Sequence, residues 1–125
     1  MPVLTVNQIN VVDKTVTAPL PPAAPVSVLD EAVRIVHGPR RKEYGHPLDN
    51  HTLTADYYNG YLRKRYPGIQ ITAEDVCILN LLQKVSRMAT TNTITRDGLV
   101  DICGYAANVE LVQDERERRT AKGHL

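Results

Sequence analysis

From Ser27 onward, hydrophobic and polar residues recur at helical rather than strand spacing, and the breaks between the runs are chemically explicit. Val28, Leu29, Ala32, Val33, Ile35 and Val36 give the first helix its apolar face, with Ser27 and Asp30 as a cap and Gly38-Pro39 as its stop. Pro47 at a first helical position opens a second helix running to about Tyr66, where Pro67-Gly68 ends it. Leu53, Tyr57 and Tyr61 repeat on one side of it, with Asn50, Asp56 and Asn59 as polar positions. Thr72-x-x-Asp75 caps a third helix near Ala73, apolar over most of its surface from Val76 to Ala89. The short polar link 89–93 makes the third and fourth helices antiparallel neighbours. The fourth begins near Thr95 or Arg96, is apolar through Leu111, and ends in a charged segment with Asp114/Arg118 and Glu115/Arg119 pairs.

Residues 1–26 break this pattern. They are β-branched without helical period, then rich in Pro and Ala from Ala18 to Pro25. Two readings stand: a free tail, or an extended, strand-forming arm added to a neighbouring subunit. The expected architecture is therefore all-α. It comprises an N-terminal arm and linker (1–26) and a four-helix bundle (27–120), assembled as a homo-oligomer because so much of the last two helices is apolar.

Two stripes carry the chemistry. At about 100° per residue, Asp97, Asp101, Gly104 and Asn108 share one narrow polar stripe on the otherwise apolar fourth helix. Asn80, Lys84 and Arg87 share another on the third. Buried carboxylates require cations opposite them, and the candidates are those side chains, a metal, or a charged ligand. Gly104 costs about 1 kcal/mol of helix propensity relative to Ala, which points to a close approach to the helix backbone. The segment 37–47 reads as a loop dense in chemistry. Arg40, Arg41 and Lys42 suit anionic oxygens, Tyr44 or Tyr57 suits stacking on a base, and His46 reads as a capping or structural residue before it reads as a ligand.

Composition narrows the field. Lys and Arg number 15 against 14 acidic residues, so the net charge of +1 gives no general case for nucleic acid or an anionic membrane. No apolar run reaches the ~18 residues that span a bilayer, and the N-terminus lacks a signal-peptide pattern. A cytoplasmic protein is expected. Cys77 and Cys103 fall within apolar helical patterns and read as reduced core thiols.

The segments Glu43-Tyr44-Gly45-His46-Pro47 with Asn50, Thr72 to Val76 with Lys84 and Arg87, and Arg96 to Ala106 resemble a group of small phage and prophage proteins labelled MazG-like nucleotide pyrophosphohydrolases. The resemblance covers roughly residues 28–112. It implies a helical bundle, usually oligomeric, that cleaves a nucleoside triphosphate to monophosphate and pyrophosphate with Mg²⁺. On that reading Asp97 and Asp101 hold Mg²⁺, at a spacing of four where the superfamily has three, and Glu43 shares in metal binding or acts as base. Arg40, Arg41, Lys84 and Arg87 hold phosphates, with Tyr44, His46, Asn50, Tyr57 and Asn108 completing the substrate site. Two other functions remain open: sequestration of a nucleotide or nucleotide-derived signal without cleavage, and a structural or host-interaction role in which the two stripes pair only with each other.

Overall fold

The computed structural model describes residues 26–123. It is all-α there: α1 (Val28–His37), α2 (Pro39–Tyr44), α3 (Pro47–Leu62), α4 (Ala73–Thr91) and α5 (Arg96–Ala121), with no strand among the described residues. The proposed arm, residues 1–25, lies outside them. No described helix is long and apolar enough to cross a membrane.

The caps read from the sequence fold as written. Ser27 Oγ accepts from the Asp30 amide, Thr95 Oγ1 from the Gly98 amide, and Thr72 and Asp75 form a reciprocal capping box. Asn92, in a left-handed conformation (φ 50°), turns the chain from α4 into α5. Asn59, a polar position of α3, has a structural task. Its amide donates to the Ile71 carbonyl at 2.9 Å and accepts from the Ile71 amide at 2.8 Å, fastening the segment before α4 onto α3.

Two boundaries differ from the sequence reading. The expected loop 37–47 contains a helix: Pro39 starts α2, and Gly45 ends it at φ 76°, where a side chain would be strained. The second long helix closes at Leu62, so Arg63, Lys64 and Arg65 lie in the turn beyond it, where the Tyr66 amide still bonds the Leu62 carbonyl.

α5 is the axis of the fold. It packs against α1, α3 and α4, and it runs antiparallel to α4, as Lys84–Asp101 at one level and Glu74–Arg116 at another establish. The driest cluster joins Leu48 of α3, Ala73 and Cys77 of α4 and Val112 of α5, with Val109 against it. Burial raises the Cys77 thiol to about 11, so it is an inert core group. Both cysteines are free, Cys103 half-buried.

The apolar surfaces of α4 and α5 are not covered all round within one chain. Ile78, Leu79, Leu82 and Val85 of α4 are exposed, as are Leu53, Tyr57 and Tyr61 of α3, and on α5 only Val100 and Val112 are fully buried. The reason is geometric. Among the described residues, α4 has helical neighbours only in α3 and α5, which cover one side of it.

Candidate functional site

α1 and α3 both pack on α5, with no Cα atom of one within 8 Å of a Cα atom of the other. α1 seats on the N-terminal half of α5, where Val36 meets Gly104 and Glu31 pairs with Arg96 at 2.7 Å. α3 seats on the C-terminal half, where Leu48 meets Val112 and Asp49 pairs with Arg119. The space between them is a cavity of about 300 Å³, bridged at its rim by α2.

Each element contributes a distinct chemistry. Ala32, Ile35 and Val36 of α1 form an apolar wall. Arg40, Arg41 and Tyr44 of α2 stand at the exposed rim, with the Arg40 guanidinium 5.9 Å from the centre of the Tyr44 ring. Asn50, His51 and Thr54 of α3 form a polar wall. The floor is α5, through Val100, Asp101, Gly104, Tyr105 and Asn108, and Asn80 reaches in from α4. A Cβ added at Gly104 would stand 3.4 Å from Val36 Cγ2, so the close approach that the glycine implied is the α1 side chain. Its small size also keeps the cavity floor low.

The two stripes meet in part. Lys84 Nζ lies 2.8 Å from an Asp101 carboxylate oxygen, with both side chains about one-fifth exposed. Asp101 lines the cavity and Lys84 holds it from behind. Asp97 sits exposed in the first turn of α5, outside the cavity, and Arg87 is exposed on α4. Of the candidate residues, Arg40, Arg41, Tyr44, Asn50, Asp101 and Asn108 are brought together. Glu43, His46, Tyr57, Lys84, Arg87 and Asp97 do not line the cavity. Tyr57 points to solvent, 71% exposed. His46 caps α3, its Nδ1 accepting from the Leu48 amide at 3.0 Å. Burial, then the positive charge of Arg41, lowers its pKa and keeps the imidazole a neutral acceptor.

The donor set does not suit a resident divalent cation in a single chain. Asp101 is already neutralised by an ammonium group, Asp97 does not line the cavity, and among the described residues no three His, Cys, Asp or Glu side chains cluster as ligands.

Two lining residues escaped the sequence reading, His51 and Thr54. The signal was present: Pro47, Asn50, His51 and Thr54 repeat at three- and four-residue steps and fall within about 100° of one another around α3. His51 is only 9% exposed, and burial lowers its pKa. Its Nδ1 and the Oδ1 of Asn108 are buried polar atoms with no hydrogen-bond partner among the described residues. Such atoms are uncommon in native proteins, and here both belong to side chains lining one cavity.

Comparison with known proteins follows the same boundaries. The chain is 40% identical over 89 residues to the Gene 55 protein of Mycobacterium phage D29, a span of 71% of this chain and 55% of that protein. It is 35% identical over 98 residues to the Gene 55 protein of Mycobacterium phage L5, covering 78% of this chain and 60% of that one. The chain thus spans little more than half the length of these curated relatives. No solved structure matches it. Residues 27–113 match the family described as Domain of unknown function (DUF6378), a span from the α1 cap to the residue after Val112 that includes every cavity-lining side chain. The protein belongs to the DUF6378 family.

Proposed function

We propose that the protein binds a nucleotide-type small molecule in the cavity between α1, α3 and α5. One observation carries this reading: a single cavity combines two guanidinium groups and a tyrosine ring at its rim with amide, imidazole and apolar walls inside. Arginines at a rim suit phosphate oxygens, which they bind through paired N–H donors. The volume stands at the small end of ligand pockets, which suits one nucleoside rather than a dinucleotide. The resemblance to MazG-like nucleotide pyrophosphohydrolases points to the same ligand class. The phage origin of the relatives fits a role in the host cytoplasm, where such ligands abound.

Binding without cleavage is favoured over Mg²⁺-dependent pyrophosphohydrolysis, because Lys84 engages the one lining carboxylate. The test is a thermal-shift and calorimetric screen of mono-, di- and triphosphates with and without Mg²⁺, followed by analysis of the recovered ligand. Saturable stabilisation with intact ligand supports the reading. Release of pyrophosphate, abolished in Asp101→Ala, would replace it by hydrolysis. No binding to any nucleotide would end it.

The same reading has the protein act as a homo-oligomer. Exposed apolar side chains on two helices that pack together, Leu53, Tyr57 and Tyr61 of α3 with Ile78, Leu82 and Val85 of α4, support it. Size-exclusion chromatography with light scattering tests it, and a monomer at all concentrations removes it.

A further inference from the structure

The cavity has two unlike ends. Arg40, Arg41 and Tyr44 are exposed, whereas His51 is buried and Asn108 largely so. The inner atoms that lack hydrogen-bond partners among the described residues are Asn108 Oδ1 and His51 Nδ1. An unpaired buried polar atom costs stability, so its persistence requires a reason. Replacing both residues with apolar groups of similar shape would remove that cost, yet both lie where a guest would reach them. The terminal torsion of an asparagine is soft and roughly two-fold, so rotation about it can turn either end of the Asn108 amide to the cavity. A neutral imidazole offers one donor and one acceptor nitrogen. The two residues therefore match a neutral group with adjacent donors and acceptors, and do not match an anion.

We propose that Asn108 and His51 form a base-recognition subsite. They hydrogen-bond the edge of a neutral planar heterocycle at the inner end of the cavity, while the anionic part of the ligand lies outward at Arg40 and Arg41. The proposal rests on the nucleotide reading and adds the ligand's orientation and the residues that discriminate its base. The apolar α1 wall and the floor at Val100 and Gly104 face the rest of the guest. Asn108 and His51 are specificity residues on this account. Their substitution changes affinity without harming the fold.

The experiment compares nucleosides with their monophosphates by calorimetry on the full chain. It uses wild type, Asn108→Leu, His51→Phe and the rim variant Arg40→Ala/Arg41→Ala, and records the thermal midpoint of each protein without ligand. Asn108→Leu should bind both nucleoside and monophosphate about tenfold or more weakly, while its own midpoint stays level or rises. A merely structural residue would not show that combination. The rim variant should lose affinity for the monophosphate and keep that for the nucleoside. His51→Phe should flatten the differences among bases, and His51→Gln, which retains hydrogen-bonding capacity, should restore part of them. Unchanged affinity and base preference in both Asn108→Leu and His51→Phe would overturn the subsite while leaving nucleotide binding intact. Absence of any nucleotide or nucleoside binding to wild type would overturn both. Should Asn108→Leu fail to fold, the structural explanation of the residue prevails and the proposal falls.

Discussion

The two halves of α5 are built on different principles. From Val109 to Arg119 the helix is locked: Val112 is wholly buried against Leu48, Ala73 and Cys77, and Glu115, Arg116 and Arg119 tie it to α3, α4 and itself. From Val100 to Asn108 it is the floor of a cavity: Val100 is buried, Gly104 meets Val36, Asp101 pairs with Lys84, and Asn108 Oδ1 has no hydrogen-bond partner among the described residues. Ion pairs are denser at one end of the helix, and the cavity-lining side chains lie at the other. On the proposed reading this division reflects the cost of a ligand site, since groups arranged for a guest cannot all satisfy one another.

The largest break in this contrast should come from the locked end. Val112→Asp places an unpaired charge in the driest cluster, at a cost of several kcal/mol, comparable with the whole stability of a small domain. It should yield an unfolded chain by circular dichroism. Val112→Ala should cost about 2 kcal/mol in denaturant unfolding.

The next effect belongs to the cavity end. Lys84→Met leaves Asp101 without its partner and should cost about 1–2 kcal/mol of stability. It also exposes a negative charge to the cavity, so nucleotide affinity should fall. The double variant Lys84→Met/Asp101→Leu should recover the stability, and a double-mutant cycle measures the coupling.

A pH titration separates the buried imidazoles from the arginine-paired carboxylates without mutation. Burial lowers the folded-state pKa of His46 and His51 from 6.5, so the unfolded chain binds protons first and stability falls as the pH drops below about 6.5. The Asp49, Glu74 and Glu115 carboxyls are lowered chiefly by hydrogen bonds from arginines. Their contribution is complete above the unfolded values near 4.5 and 3.8, and is lost as the pH falls through the depressed ones. Thermal midpoints should therefore decline in two steps. His51→Phe should shrink the upper step, and Arg116→Met should shrink the lower one. A single decline below pH 4.5 in wild type would contradict this division.

The smallest effect is expected at the junction. In Gly104→Ala the gain in helix propensity, about 1 kcal/mol, opposes a tight contact with Val36 Cγ2 at 3.4 Å. Stability should change by less than about 1 kcal/mol. The added methyl narrows the cavity floor, so any change in ligand affinity should exceed the change in stability.

The sequence by itself determined the helices, their caps and the antiparallel turn at Asn92, because those depend on interactions within a few residues: Ser27 to Asp30, Thr72 to Asp75, Thr95 to Gly98. It also made legible that Asp101 and Lys84 share a level, since each lies on its helix's polar stripe and a short link joins the two. Periodicity could not tell which stripe faces a neighbour and which faces water. Tyr57 therefore read as a candidate ligand residue and points outward, while His51, about 120° away around α3, went unnoticed and is buried. Pairing of whole helices made that decision. α1 and α3 each seat on a different half of α5 and leave a gap between them, and a gap is set by the spacing of packed elements that no local stretch of sequence records.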